Sequence, residues 1–193
     1  LGASEDERLP FERVLETATA LGAPTIRVWA GTHGSIDTKP EHRQRIEDEA
    51  RKIAEMADRE DIRIGLEYHY NTLTDSLQST INLLKAVDHK NLGSYWQPWP
   101  DRRTADVLEE IPQLEAWLMN LHVYTWETAT DGGWKRLPLV YGEDFWKQAF
   151  VRAAQSPGDR WAILEFVRDD EPQQFLKDAA TMRKILDSQG LRS

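Results

Sequence analysis

The 193-residue sequence contains no cysteine. This absence excludes a disulfide framework, a thiolate zinc site and a cysteine nucleophile, and it fits a reducing compartment. Positive charge is also scarce, because 24 Lys and Arg residues stand against 33 Asp and Glu residues, for a formal net charge of −9. Binding to a nucleic-acid backbone needs a concentrated basic face, so we expect no nucleic-acid partner.

Long apolar runs are missing as well. No segment approaches the roughly 18 consecutive apolar residues of a membrane span, so we expect no membrane partner. The acidic first residues do not resemble a signal peptide, and we predict a cytoplasmic location. Tryptophan, by contrast, is abundant, with eight residues. The length suits one domain, and we predict a single domain over residues 1–193.

Short apolar segments alternate with amphipathic ones along the whole chain. Short apolar segments predict strands at 25–30, 62–68, 91–97, 118–124 and 161–167, and the first of them is also rich in β-branched residues. The segments with a 3.6-residue period predict helices at 4–21, 72–87, 104–115 and 142–154. Two capping segments, 38–41 and 170–173, open further predicted helices that run to about residues 59 and 189. Residues 126–141, with their Gly132-Gly133 pair, predict a long loop. This alternation is typical of α/β proteins with parallel strands, either an open doubly wound sheet or part of a TIM barrel.

Four successive predicted strands end in a residue that could bind a cation. In α/β folds, functional groups gather at the carboxyl ends of the strands. Two carboxylates, an amide and an imidazole would together suit Mn²⁺ or Mg²⁺, and after them Co²⁺ or Zn²⁺. The simpler alternative is that each carboxylate pairs with an arginine and that the histidine is a hydrogen-bonded core residue. The four residues are Glu67, Gln97, His122 and Glu165.

The sequence resembles a known family at these same places. The segments that match are Ile26–Gly31, Gly65–His69, Leu121–Val123 and Ile163–Glu165. They resemble the xylose-isomerase-like TIM barrels, a group of sugar isomerases and sugar-phosphate epimerases that also includes endonuclease IV. The resemblance implies a partial parallel (β/α) TIM barrel of about five strands, which lacks the first three strands of the eight.

The resemblance also implies a metal site and a reaction. Family members hold a divalent metal with Glu, Asp, His and Glu, and these positions fall on Glu67, Gln97, His122 and Glu165. Glu67 and Glu165 would be the acid/base pair of an isomerase or epimerase that acts on a sugar or polyol derivative through an enediolate. Gln97 departs from the family's Asp, and Tyr124-Thr125 stands where Lys-Asp is common. We therefore expect substrate contacts unlike those of the well-known members.

Six further residues are candidates for contact with a small, sugar-like substrate. Aromatic rings at strand ends can stack on a sugar face, and loop histidines or arginines can bind its polar groups. For each there is a plainer alternative: ring packing for the tryptophans, a solvated loop position for the histidines, and neutralisation of a neighbouring Asp for the arginine. The candidates are Trp29, His33, His69, Trp96, Trp126 and Arg168.

Three other functions compete with the isomerase. A hydrolase or dehydratase could use the same metal ligands. An endonuclease IV-like enzyme is disfavoured by the negative charge and by Trp29, which stands where that enzyme would need a histidine. A third alternative is a non-catalytic or incomplete barrel that binds a sugar-like ligand. Because the sequence opens with Leu1, we expect a missing N-terminal segment or a second copy of the chain to close the barrel.

Overall fold

The computed structural model describes residues 1, 9–99, 102–130 and 132–191. Its α-helices are α1 (Phe11–Leu21), α2 (Pro40–Asp58), α3 (Leu77–Val87), α4 (Thr104–Leu108), α5 (Glu110–Gln113), α6 (Glu143–Ala153) and α7 (Pro172–Ser188). Its strands are β1 (Thr25–Val28), β2 (Arg63–Glu67), β3 (Leu92–Trp96), β4 (Leu118–Val123), β5 (Thr125–Thr128), β6 (Trp134–Leu137) and β7 (Ala162–Leu164).

Five of these strands form a parallel sheet in the order β1-β2-β3-β4-β7. The register pairs Ile26 with Ile64 between β1 and β2, and His122 with Ile163 between β4 and β7. Each step from one parallel strand to the next passes through at least one helix, as parallel pairing requires. The predicted α/β class, of the parallel TIM-barrel type with about five strands, is confirmed.

The first compact unit covers Leu1–Tyr95. Its core lies between the sheet and one face of each of α2 and α3. The apolar positions of α2 recur at three- and four-residue spacing, which places them on one stripe of the helix. These buried positions of α2 are Ile46, Ala50, Ile53, Ala54 and Ala57.

Close packing within this unit explains one glycine. A Cβ atom at Gly65 would clash with the ring of Tyr95, which lies on the neighbouring strand. Gly65 therefore lets a large aromatic side chain lie across β2, two residues before the strand ends at Glu67.

The second compact unit covers Trp96–Ser193. Trp146 of α6 is fully buried, and its indole N–H donates to the carbonyl oxygen of Tyr124 at 2.9 Å. Its ring meets that of Trp96 edge to face, with centroids 6.3 Å apart. At the start of α7, the carboxylate of Glu171 accepts from the backbone N–H groups of Gln173 and Gln174 and so caps the helix.

The structure corrects three predicted elements. Residues 126–141 are not a loop throughout, because β5 and β6 pair there as an antiparallel hairpin. The predicted helix 104–115 is two short helices, α4 and α5. The predicted helix 72–87 begins only at Leu77, and Thr72 and Thr74 instead hydrogen-bond within the turn before it. Residues 4–8 of the first predicted helix lie outside the described residues.

Within the described residues, no helix combines the length and the apolar character that crossing a membrane requires.

Candidate functional site

Glu67 is the last residue of β2 and is only 2% exposed. Its Oε2 atom forms an ion pair with the guanidinium of Arg27 and accepts a hydrogen bond from the indole Nε1–H of Trp29. Its backbone carbonyl accepts from the hydroxyl of Thr74. A buried carboxylate is costly unless it is paired and hydrogen-bonded, and here both conditions are met. An ion pair with an arginine was the simpler alternative for this residue, and Arg27 forms such a pair.

The sheet register explains why Arg27 reaches Glu67. Arg27 of β1 lies opposite Gly65 of β2, and Glu67 is two residues further along β2. Residues two apart on a strand share a face, so the long side chain of Arg27 extends to Glu67 on the side where Gly65 has no side chain.

Two substrate-contact candidates lie beside Glu67. The ring of Trp29 stacks on that of His69, with centroids 4.1 Å apart and an interplanar angle of 28°. Because β2 ends at Glu67, His69 lies past the strand, as the loop alternative predicted. Trp29 is 46% exposed, so its ring keeps a free surface while its N–H serves Glu67.

The second unit brings together three of the four predicted metal-site residues. The Nδ1 atom of His122 lies 2.9 Å from Oε1 of Gln97 and 3.2 Å from Oε2 of Glu165. Gln97 directly follows β3, His122 belongs to β4, and Glu165 directly follows β7. The three side chains therefore meet because the carboxyl ends of their strands lie at the same edge of the sheet.

This contact defines the chemistry of His122. Both neighbours of Nδ1 are oxygen atoms, which accept hydrogen bonds, so an Nδ1–H group would have two acceptors within reach. Histidines that bind metals commonly donate their other N–H to a carboxylate or carbonyl group in this way. Gln97 is thus positioned to orient the ring of His122. The sequence also suggests Gln97 as a metal ligand.

Glu165 differs from Glu67 in its surroundings. Its Oε2 atom is buried and has no hydrogen bond among the described residues, although the imidazole of His122 lies near it. The next residue, Phe166, has a left-handed backbone with φ 50°. A bulky side chain rarely adopts this conformation, so the chain accepts strain immediately after Glu165.

The other four substrate-contact candidates differ from one another in burial and in contact partners. Trp96 is fully buried, and its N–H donates to the carboxylate of Glu110 at 3.3 Å, so it packs in the core of the second unit. Arg168 pairs with Asp169, which was the plainer alternative. His33 is exposed and meets the ring of His42 edge to face. Trp126 is partly buried among Tyr124, Trp134 and Phe166.

Two titratable groups that lie away from these strand ends have pKa values shifted by burial. Burial raises the pKa of Glu110 above its usual value, against the lowering effects of Trp96 and Arg102. Burial also lowers the pKa of His42, and the positive charge of Arg45 adds to this effect. Sequence reasoning did not single out either residue, because a charged residue on an amphipathic helix gives no signal of its burial.

Comparison with known proteins decides the family. The sequence model of one protein family, described as xylose isomerase-like TIM barrel, matches residues 3–185. The chain belongs to this family. Over 122 residues it is 37% identical to a 3-dehydroshikimate dehydratase of Bacillus anthracis, an overlap of 58% of this chain and 43% of the relative. The chain thus matches less than half of that relative's length.

Solved structures agree on the fold. The probable 3-DHS dehydratase AsbF of Bacillus anthracis, involved in petrobactin synthesis, has a TM-score of 0.74 and 24% identity, over 94% of this chain and 73% of that one. A xylose isomerase-like TIM barrel protein of Mycobacterium smegmatis, in complex with magnesium, also has a TM-score of 0.74, with 16% identity over 91% of this chain and 65% of that one.

Proposed function

We propose that this chain belongs to a divalent-metal-dependent enzyme that removes a proton next to a carbonyl group and eliminates water, that is, a dehydratase. The observation that carries the proposal is the unequal environment of the two glutamates. Glu67 already has a cationic partner in Arg27, whereas Glu165 has a buried oxygen without a hydrogen bond among the described residues. Of the two, Glu165 is the one suited to accept a proton.

We propose Glu67, His122 and Glu165 as the ligands of the metal, because the family's ligand positions fall on these residues of the sequence. Two carboxylates and an imidazole suit Mn²⁺ and Mg²⁺ and also accept Co²⁺ or Zn²⁺. The oxygen of Glu165 that lacks a hydrogen bond fits such a role. When bound, a divalent cation polarises a substrate carbonyl and so acidifies the adjacent C–H group.

The chain's own residues would then divide the work. Glu165 takes the proton from the carbon next to the carbonyl, and the C–O bond of the hydroxyl group one carbon further breaks as the C=C bond forms. Glu165 returns the proton to the departing hydroxyl, so that the net loss is one water molecule. Trp29 and Arg27 hold Glu67 in place, and Gln97 holds the ring of His122.

An isomerase or epimerase, as the sequence suggested, is the second candidate. It shares the first proton transfer but returns the proton at another carbon or on another face, which commonly takes a second acid. Glu67 is poorly placed for that role, because a proton on its carboxylate would leave the guanidinium of Arg27 without its counter-charge. The 37% sequence identity to the dehydratase of Bacillus anthracis over 122 residues also favours a dehydratase over an isomerase.

The experiment compares the two reactions on the purified chain loaded with Mn²⁺ or Mg²⁺. The substrate for the dehydratase arm is 3-dehydroshikimate, taken from the relative's name. Its dehydration is followed by near-ultraviolet absorbance, because the new double bond is conjugated with the carbonyl. The second arm is a panel of ketoses and aldoses in D₂O, in which an isomerase or epimerase would incorporate deuterium into recovered sugar.

We expect absorbance to rise with 3-dehydroshikimate and no deuterium in any sugar. Deuterium exchange without dehydration would establish the isomerase instead. Wild-type protein that binds none of Mn²⁺, Mg²⁺, Co²⁺ or Zn²⁺ in calorimetric titration would overturn the metal site.

The aligned residues cover 43% of that relative, so the chain matches only part of its length. We propose that a further N-terminal segment or a second copy of the chain completes the barrel, and we retain a cytoplasmic location as a prediction. Light scattering across a concentration series tests the second-copy arm, because a dimer would double the 22.3 kDa mass of the chain.

A further inference from the structure

The residues that join β7 to α7, which we call the β7–α7 connection (residues 166–171), have an unusual backbone. Just before them, the N–H of Glu165 donates to a carbonyl oxygen of β4 at 3.0 Å, so strand-like pairing reaches this residue. Aspartate tolerates a left-handed backbone better than most residues do, but a bulky side chain rarely adopts it. Such a backbone persists where the surrounding structure holds it in place. Three residues of the connection have it: Phe166 (φ 50°), Asp169 (φ 60°) and Asp170 (φ 51°).

One face of the β5–β6 hairpin lies against this connection. Trp126 and Arg136 are directly opposite each other in the hairpin, and opposite residues of an antiparallel pair share a face. The rings of Trp126 and Phe166 have centroids 4.9 Å apart. The guanidinium carbon of Arg136 lies 5.3 Å from the centroid of the Phe166 ring, a distance at which a cation attracts an aromatic face. The hairpin register therefore brings two side chains to the residue that directly follows Glu165.

Arg136 makes two more contacts further along the connection. Its Nη1 atom donates to the carboxylate of Asp170 at 2.7 Å and lies 3.5 Å from the carbonyl oxygen of Val167. A guanidinium is planar and carries five N–H donors, so one side chain can hold several acceptors and a ring face at once. The three contacts reach from the first left-handed residue of the connection, Phe166, to the last, Asp170.

We propose that Arg136 is a positioning residue for Glu165, an inference that rests on the proposed function. By holding Phe166 and Asp170, Arg136 fixes the backbone that follows Glu165 and so the direction of its carboxylate. A general base must lie within hydrogen-bond reach of the proton that it takes, and a small misplacement lowers the rate. Loss of Arg136 should therefore lower kcat and leave KM nearly unchanged.

The first test measures dehydration of 3-dehydroshikimate by the full chain at saturating Mn²⁺. For Arg136→Met, which removes every donor, we expect kcat to fall about 10-fold with KM within about 2-fold of wild type. For Arg136→Lys, which keeps the charge but not the planar fork, we expect kcat to fall about 3-fold. Both variants should fold, because the ion pair with Asp170 is exposed and contributes little to stability.

Two further variants refine this comparison. Asp170→Asn removes the ion pair alone and should lower kcat about 2-fold, since the contacts of Arg136 with Phe166 and Val167 remain. The matched control is Lys135→Met. Neighbouring side chains on a strand point to opposite faces, and Lys135 pairs with Glu127 within the hairpin, so its kinetics should equal those of wild type.

Combination with Glu165→Gln separates positioning from a general loss of structure. If Arg136 acts through Glu165, then Arg136→Met should lower the kcat of the Glu165→Gln variant by less than about 2-fold, because the group that it positions is already gone. A loss of kcat by the same factor in both backgrounds would overturn the proposal.

A second readout needs neither metal nor turnover. The backbone ¹H–¹⁵N heteronuclear NOE reports fast motion of each amide group. We expect lower values at residues 166–170 in Arg136→Met and unchanged values in Lys135→Met. Unchanged values in Arg136→Met would overturn the proposal. Absence of dehydration by the wild-type chain would instead overturn the proposed function, and the NOE comparison would still decide whether Arg136 holds the β7–α7 connection.

Discussion

The carboxyl ends of β2 and β7 each present a glutamate, but the two glutamates are held in different ways. At the end of β2, Glu67 is almost fully buried and is fixed by Arg27 and Trp29. At the end of β7, Glu165 is partly exposed, and its Oε2 atom lies 3.2 Å from the imidazole of His122 without a hydrogen bond among the described residues. The type of residue at a strand end therefore does not by itself define its role. The charged groups around a carboxylate also affect how readily it exchanges a proton.

The largest expected effect is on turnover in Glu165→Gln. Loss of a general base lowers the rate by about 10²–10⁴-fold, and we expect a kcat for dehydration within that range below wild type. Glu67→Gln should instead act through metal affinity, measured by calorimetric titration. The control is Glu127→Gln, an exposed hairpin residue that pairs with Lys135. Equal losses of kcat in both glutamate variants would contradict the proposal that Glu165, and not Glu67, transfers the proton.

The second effect is on stability in Arg27→Met. This substitution leaves the buried carboxylate of Glu67 without its cation, and we expect a loss of about 1–3 kcal/mol in the free energy of unfolding. The figure is below that of a fully buried pair because Arg27 is partly exposed. Urea denaturation measures it. Arg13→Met, which breaks an exposed pair with Glu16, serves as the control and should change little.

In the double variant Arg27→Met/Glu67→Gln, most of the lost stability should return, because no uncompensated charge remains buried. A double variant less stable than either single variant would show that Arg27 stabilises the protein by packing rather than by charge.

The third effect concerns the strained residue after Glu165. The ring of Phe166 contacts those of Tyr124 and Trp126, and Arg136 lies over it at 5.3 Å. We expect Phe166→Ala to lower kcat several-fold and to change the pH profile of activity, because the backbone that carries Glu165 loses its support. The control is Phe175→Ala, an exposed residue of α7. A loss of thermal stability with an unchanged pH profile would reduce Phe166 to a packing role.

The smallest effect is the pH dependence of stability from Glu110. Burial raises the pKa of Glu110, so the folded chain holds this proton more tightly than the unfolded chain. Its stabilising contribution is complete below the ordinary value of 4.5 and is lost as the pH rises through the raised pKa. Melting temperatures should therefore show Glu110→Gln gaining on wild type as the pH increases from 4.5 to 7. The control is Glu109→Gln, at an exposed residue, and its melting temperature should change with pH as that of wild type does.

Much of the fold was predictable because its signals are local. The five parallel strands follow from short apolar segments, and α2 and α7 follow from their apolar stripes and from the prolines in their first turns. The hairpin of β5 and β6 was missed because its strands are only four residues long and half of their residues are exposed, so they lack the apolar alternation of a half-buried strand.

The candidate site was predictable to a lesser extent. Strand ends in a parallel sheet meet at one edge, so the contact of Gln97, His122 and Glu165 could be anticipated. Which carboxylate carries an arginine depends on the register between β1 and β2, which a single sequence does not define. The contact of Arg136 with Asp170 could not be found at all, since a pair of side chains 34 residues apart is visible only in three dimensions.

The antiparallel hairpin also has a structural consequence. It is inserted between β4 and α6, and it forms its own two-stranded sheet. Residues can be added or removed between Thr128 and Trp134 without altering any pairing in the parallel sheet. The length of this hairpin and the pairing of the parallel strands are therefore separable, so a change in one leaves the other intact.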